Sequence, residues 1–278
     1  MTEVAIVTGG LRGLGKAMAL GLLRSGRKVM AVGHIADDIA DMRRDAGNRA
    51  ADLHCLALDL RQPQACDQAV DETRQRFGSP GILVNNAGLT FTYTDPERFT
   101  KGPRKFWELT DKIVQNTMDT NYVVADQMTR RVTPLMLQAG WGRIVNITTK
   151  LDTMNREGSV PYGPSKAALE MATEIWAKEL AGTGVTVNIV NPGAGANTPG
   201  MAKEMREWSA TGKAPRLVEA EEMVAPLLFV VSREADKVHG YRFDANTWIG
   251  DVAPAVSARR TGRKAGFELY PLSDCLPG

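Results

Sequence analysis

The chain has 278 residues, of which 43% are hydrophobic and 24% charged. That length suits either two modest domains or one large α/β domain, and the apolar share excludes disorder as a description of the whole. Lys plus Arg number 34 and Asp plus Glu 32, a formal charge of +2, so charge makes no case for nucleic acid or an anionic membrane as partner. The 27 glycines follow no three-residue period, which excludes collagen and turns attention to where they sit.

Short apolar runs alternate with longer helical patterns. Residues 4–7 read as a strand, followed by a glycine-punctuated turn and a helix over 14–23 that stops at Ser25-Gly26. Further strands are expected at 29–32, 53–58, 82–84, 143–147, 185–190 and 241–243, and helical periodicity is clearest over 107–138 and 165–180. Strands spaced by such helices imply βαβ crossovers and a parallel, doubly wound sheet covered on both faces: a three-layer α/β/α sandwich. No proline-rich or charge-rich linker divides it, so one dinucleotide-binding catalytic domain is expected over 1–250. Residues 251–278 lack a clear period and are expected to be an irregular tail, packed on the domain or on a neighbouring subunit.

Cys55, Cys66 and Cys275 form no disulfide framework or metal-ligand spacing, which fits a reducing cytoplasm. The start MTEVAIVTGG shows no basic leader before an apolar stretch, and the longest apolar run, 223–231, is too short to span a bilayer. A cytoplasmic protein with no membrane and no nucleic-acid partner is the expectation.

The segment VAIVTGGLRGLGKAMALGLL places Gly9, Gly13 and Gly15 between the first strand and its helix. A tight turn, close approach of a pyrophosphate and close helix–sheet packing each favour the absence of a Cβ. The free N–H groups of the helix start then face the phosphates. Thr8 leads the turn, and Arg12 and Leu14 lie within it, in a TGxxxGxG spacing rather than GxGxxG. The second strand ends VMAVGH, so Gly33 occupies the position where an NAD site wants an acid, and His34 follows. Arg12 can reach the same region and suits a 2′-phosphate, which favours NADP(H) with NAD as the alternative. Asp59, ahead of Leu60, is positioned to accept a bond from the adenine amino group.

Tyr162 precedes Lys166 by one helical turn in SVPYGPSKAALEMATEIWAKEL. Unperturbed tyrosine titrates near pH ~10. A lysine cation and a bound nicotinamide would both favour the phenolate and bring it towards working range. Pro164 costs little so near a helix start. The segment follows the strand RIVNIT and precedes VTVNIVNPG, where parallel strand ends form a binding crevice.

Read together, TGGLRGLG at 8–15, NNAG at 85–88, Asn121 within MDTNYV, Thr149 after NIT, YGPSK at 162–166 and NPG at 191–193 resemble a single-domain short-chain dehydrogenase/reductase from residue 1 to about 250. The resemblance implies a nicotinamide cofactor and an Asn–Ser–Tyr–Lys catalytic set. Tyr162 is then similar to the family's general acid–base, and Lys166 to the group that holds the nicotinamide ribose and lowers the tyrosine pKa. Asn121 resembles the residue anchoring a water that links the lysine to solvent. Asn86, Ala87 and Gly88 resemble the floor of the adenosine side, Pro192 and Gly193 approach the nicotinamide, and Thr198 is similar to the partner of its carboxamide. The family places serine where this chain has Thr149. The hydroxyl survives, while the methyl group removes space and stiffens χ1, so the effect should fall on substrate shape. The stretch NPGAGANTPG either leaves room beside the nicotinamide or packs a tight loop.

Two segments could close the substrate pocket: 89–104, with Phe91, Tyr93 and Phe99, and 201–216, with Met201, Met205 and Trp208. The second is similar to the family's mobile loop, and its apolar residues point either to an apolar substrate or to the buried face of a short helix. Lys203, Arg206 and Lys213 interleave with Glu204 and Glu207 as a solvated face. No metal site is expected. These readings converge on an NADP-dependent oxidoreductase interconverting a carbonyl and an alcohol. The alternatives are an NAD-dependent alcohol or polyol dehydrogenase and a non-catalytic dinucleotide-binding regulator or scaffold. The resemblance also implies a homodimer or homotetramer packed through 107–138 and 165–180.

Overall fold

The strand at 4–8 is buried at every position, as a strand covered on both faces must be. Its side chains divide by the period of two: Ala5 and Val7 join one core cluster, Ile6 the other. A computed structural model describes residues 3–268. In chain order the elements are β1 (Val4–Thr8), α1 (Gly13–Arg24), β2 (Lys28–Gly33), α2 (Asp38–Ala46), β3 (Leu53–Ala57), α3 (Ala65–Phe77) and β4 (Ile82–Asn85). Two short helices, α4 (Phe91–Thr94) and α5 (Arg98–Lys101), lead to α6 (Asp111–Met118) and α7 (Val124–Ala139), which a π-helical turn at Asp119–Val123 joins. Then come β5 (Gly142–Asn146), α8 (Leu151–Asn155), α9 (Tyr162–Glu179), β6 (Val185–Asn191), β7 (Ala196–Asn197), α10 (Lys203–Ala210) and β8 (Val218–Glu219). The last elements among the described residues are α11 (Val224–Val230), β9 (Tyr241–Asp244), α12 (Pro254–Thr261) and β10 (Arg263–Lys264).

The main sheet has eight strands in the order β3-β2-β1-β4-β5-β6-β9-β10. All pairs are parallel except β9–β10. This is the expected doubly wound three-layer fold in a single domain. One face packs Met18, Leu22 and Phe229 from α1 and α11, and the other packs Ala69, Met128 and Val132 from α3 and α7. Strand order reverses between β1 and β4, so a crevice opens there at the carboxyl ends of the strands. Asn85 and Asn146 end the adjacent strands in register. Their side chains bond at 2.9 Å, and Asn146 Nδ2 passes on to Thr173 Oγ1 at 2.8 Å.

Two expectations are corrected. The helix read from residue 107 starts at Asp111, because Thr110 caps it by accepting from the Ile113 N–H (3.4 Å). Trp107 precedes it in a tight turn. The tail is not irregular over its described part: Pro254 sits in the first turn of α12, where a missing N–H has no consequence. β10 then pairs Arg263 with Arg242 and Lys264 with Tyr241. The sheet therefore extends past the expected boundary at 250. Cys275 and the rest of 269–278 lie outside the described residues.

Cys55 and Cys66 are free and buried. Burial pushes both thiols up, that of Cys66 to about 11. No helix among the described residues is long and apolar enough to cross a membrane.

Gly15 tests how tightly the first turn is built. A Cβ there would run into the Gly9 carbonyl and the Asn86 side-chain amide, whereas one on Gly250 would meet nothing within 4 Å. Gly15→Ala is expected to lose about 1–3 kcal/mol by overpacking and Gly250→Ala almost nothing, as read by urea unfolding.

Candidate active site

At the crevice, Thr8 and Asn86 stitch the end of β1 to the end of β4. The Thr8 hydroxyl accepts from the Asn86 and Ala87 N–H groups (3.0 and 3.1 Å) and donates to the Val84 carbonyl (3.3 Å). Asn86 Nδ2 donates to the carbonyls of Thr8 (3.0 Å) and Gly9 (3.1 Å). Gly9 turns at φ +62°, where a side chain is strained. Arg12 stands at the head of α1 without a side-chain cap, and no acid occupies the first turn. Those N–H groups are left for an anion. The Leu14 side chain packs on the core. Thr198 lies against Gly13, its Cβ 3.3 Å from where a Gly13 Cβ would stand. The structure thus sets Thr198 across the glycine turn.

One end of the crevice is lined by Gly9, Gly33, His34, Asp59, Leu60 and Ala87, together with Arg61. His34 is exposed. A Cβ on Gly33 would sit 2.9–3.2 Å from Leu11, so an acid at that position is obstructed as well as absent. Asp59 already has a partner in the chain. Arg61 takes both its oxygens, Nε to Oδ1 at 3.0 Å and Nη2 to Oδ2 at 2.7 Å, and holds the carboxyl below its usual range. Arg61 was not singled out from the sequence, although a charge pair two residues apart at a strand end was its visible signal. Arg12 Nε lies 3.7 Å from Asp38 Oδ2, a buried oxygen with no hydrogen-bond partner. The uncapped helix start and the Cβ-free cradle fit the pyrophosphate and adenosine of a dinucleotide.

The other end of the crevice carries α9. Tyr162 opens the helix, and Lys166, buried one turn on, donates from Nζ to the Ile147 carbonyl (2.8 Å). A Cβ on Gly88 would stand 3.4 Å from Lys166 Nζ and 3.3 Å from Asn121 Oδ1, so glycine lets all three meet. Asn121, buried in the π-helical turn, accepts from the Leu89 N–H (2.7 Å) and donates to the Leu89 carbonyl (3.1 Å) and Ser165 Oγ (2.9 Å). Both of its side-chain donors are committed, so a water relay at this residue is left with its oxygens.

The sequence reading expected Lys166 to draw the tyrosine pKa down. In the chain alone burial dominates: it pushes the Tyr162 phenol up, opposed by the Thr149 hydroxyl beside it, and pushes Lys166 down to about 8.

Behind Thr149 lies a polar network that the sequence did not announce. Arg242 donates to the Thr149 carbonyl (2.8 Å) and pairs with Glu170 (2.7 Å), both side chains fully buried. Thr148 Oγ1 also donates to Glu170 (3.0 Å). Asp244 receives Arg242 (3.3 Å), Arg263 of β10 (3.0 Å) and Asn191 Nδ2 (2.6 Å). The only local sign was Glu170, a charge one turn beyond Lys166 on the buried face of α9. Pro192 is buried, and its carbonyl accepts from the Asn246 N–H (3.2 Å). Gly193 and Gly195 have their Cβ space taken by Asn246 and Leu217, so a side chain at either would collide.

The Thr90 and Thr92 hydroxyls donate to the Gly200 carbonyl (2.7 and 2.6 Å) and tie the first candidate closing segment to the residue just ahead of the second. The Phe91 ring lies 4.8 Å from that of Tyr162. In α10 no residue is fully buried, and Met205 and Trp208 are partly exposed.

A doubly wound sheet, a glycine turn at its switch point and a Tyr–Lys pair beside it define an NAD(P)-binding oxidoreductase. Residues 3–210 match the family model for short chain dehydrogenase, and the chain belongs to that family. A short-chain type dehydrogenase/reductase of Picea abies is 31% identical over 249 residues, covering 85% of this chain and 88% of that protein. A 3-oxoacyl-(acyl-carrier-protein) reductase of Pseudomonas aeruginosa is 30% identical over 255 residues, 88% of this chain and 96% of its relative. Among solved structures, an actinorhodin polyketide ketoreductase variant with NADPH aligns at TM-score 0.74 and 27% identity, over 86% of this chain and 93% of that one. A putative NAD(P)-dependent gluconate 5-dehydrogenase of Beutenbergia cavernae with bound NADP gives 0.74 and 27%, over 87% and 94%.

The Lys166 shift has a thermodynamic readout. Its pKa is about 8 in the fold against 10.5 for the free side chain, so the unfolded chain binds more protons between those values and stability rises with pH across that window. Urea unfolding without cofactor is expected to show this rise in the native protein and a flatter profile in Lys166→Met.

Proposed function

We propose that the chain is an NADP-dependent oxidoreductase that interconverts a ketone or aldehyde and an alcohol by direct hydride transfer, with Tyr162 as general acid–base. The observation that carries this reading is Tyr162 and Thr149 side by side at the strand ends, with Lys166 buried one turn behind. A bound nicotinamide supplies or accepts the hydride. The Thr149 and Tyr162 hydroxyls orient the carbonyl oxygen by hydrogen bonds. Because burial keeps the phenol protonated at neutral pH, Tyr162 Oη holds the proton that reduction requires and takes it back in oxidation. Lys166 spends one N–H on Ile147 and keeps the others for a ribose, and its charge stabilises the phenolate when that forms. Phe91 shields the phenol from water on one side. Relatives named as a ketoreductase and an oxoacyl reductase support a carbonyl substrate.

NADP preference is supported by Arg12 and by the obstructed acid position at Gly33. The NAD reading has its own support in Asp38, a carboxylate close enough to share Arg12. We further propose a cytoplasmic homodimer or homotetramer. Exposed Val114, Leu137 and Ile175 on α6, α7 and α9 support the assembly, and the two buried free thiols suit a reducing compartment.

Tyr162→Phe is expected to bind NADPH with native affinity while kcat over a panel of ketones, aldehydes and alcohols falls at least about a hundredfold. Substantial turnover would defeat the mechanism, and an inactive native protein would favour the non-catalytic alternative. Thr149→Ser should remain active where T149V does not. For the cofactor, Arg12→Ala should weaken NADPH about tenfold to a hundredfold, the worth of charge-assisted hydrogen bonds, with little change for NADH. An unchanged ratio of the two Kd values would remove the argument for NADP.

A further inference from the structure

Arg98, the first residue of α5, extends over the substrate side of the catalytic tyrosine. Its guanidinium lies 3.8 Å from the centroid of the Phe91 ring, and that ring in turn lies 4.8 Å from the ring of Tyr162. Phe91 thus contacts both the phenol and a cation, and puts the guanidinium one aromatic ring away from Tyr162. One hydrogen bond, Nη1 to the Gly158 carbonyl at 2.8 Å, ties Arg98 to the loop that feeds α9. The side chain is half-buried, yet its remaining N–H groups keep access to solvent.

What the surroundings withhold is an anion. Asp95, whose charge reaches Arg98, is already taken by Arg104: its Oδ1 lies 3.5 Å from the guanidinium and its Oδ2 accepts the Arg104 N–H at 2.9 Å. Glu97 pairs with Lys101 (2.7 Å), Glu157 with Lys105 (2.6 Å) and Asp152 with Lys150 (3.0 Å). Arg156, exposed at the end of α8, adds a second positive charge, and with burial it pushes the Arg98 pKa down. Asp95, Glu97, Asp152 and Glu157 are thus each within ion-pair distance of another cation, while no acid among the described residues lies within that distance of Arg98. Half-burying a charge beside a like charge is unfavourable unless a ligand completes it. A guanidinium fixed on an aromatic face presents a planar fork suited to a carboxylate or a phosphate.

We propose that Arg98 makes this enzyme selective for carbonyl substrates that bear an anionic oxygen-acid group, carboxylate or phosphate, separated from the carbonyl by about the breadth of one ring. The proposal rests on the hydride-transfer reading of Tyr162. Phe91 would line the stretch between the two groups, and Arg98 would bind the anion without touching the reacting atoms.

The test compares substrates that differ only in charge. Oxo acids of increasing chain length are set against their methyl esters, and hydroxyketone phosphates against the free hydroxyketones, following NADPH oxidation. The native enzyme is expected to favour the anion by about tenfold to a hundredfold in kcat/KM, chiefly through KM, and the arm showing the preference identifies carboxylate or phosphate. Arg98→Gln should lower kcat/KM for the anion by that factor and for the neutral partner far less, with Arg98→Lys in between. Equal loss for both would mean that Arg98 only braces the loop at Gly158, and equal native rates for acid and ester would likewise overturn the proposal. Calorimetric binding of the matching saturated carboxylate or phosphate to the NADPH complex needs no turnover. It should survive in Tyr162→Phe and vanish in Arg98→Gln. An active Tyr162→Phe therefore overturns the hydride-transfer reading, whereas absent anion binding overturns Arg98 alone.

Discussion

The reversal of winding between β1 and β4 is the constraint on which the rest of the molecule depends. Two strands that lie side by side send their chains to opposite faces, so nothing covers the gap at their carboxyl ends. Thr8 and Asn86 hold that gap at fixed width through bonds to main chain on both strands. Because the fastening uses short side chains and backbone, the turn around Gly9 and Gly15 can lie flat against it. The crevice is a consequence of topology, and these residues keep it from collapsing.

The catalytic side solves a different problem, that of keeping ionisable groups out of water. One face of α9 carries Tyr162, Lys166 and Glu170 at successive turns, where an ordinary core helix would carry apolar residues. Glu170 is neutralised by Arg242, and Lys166 is left with a carbonyl as its recorded partner. A buried ion pair is weak evidence for stability, but losing one partner leaves an uncompensated charge at a cost of about 3–5 kcal/mol. Arg242 Nη2 donates to the Thr149 carbonyl and to Asp244, so the pair also fixes the backbone of the residue beside the phenol. The geometry of the site thereby reaches the edge strands β9 and β10.

Strand positions and the main motif residues were legible because their signals are local: apolar runs of strand length, glycines at a turn, and Tyr162 and Lys166 one helical turn apart. What was not legible depends on partners far apart in sequence. Glu170 meets Arg242, Arg242 meets Thr149, and Arg98 meets Phe91 only through the fold. Likewise the sequence does not show that Arg61 will curl back onto Asp59. The tail was misjudged for a related reason: β10 is two residues long and has no periodicity to read, since pairing with β9 is all that makes it a strand.

That short strand also decides what the sheet cannot do. A parallel sheet ending at β9 would offer a row of unpaired amides and carbonyls to any other extended chain. β10 covers part of that row with two exposed basic residues, and Lys264 folds its ammonium over the Tyr241 ring at 4.0 Å. A brief, positively charged border is a poor template for further strands. Growth by edge-to-edge pairing is discouraged at this border of the sheet.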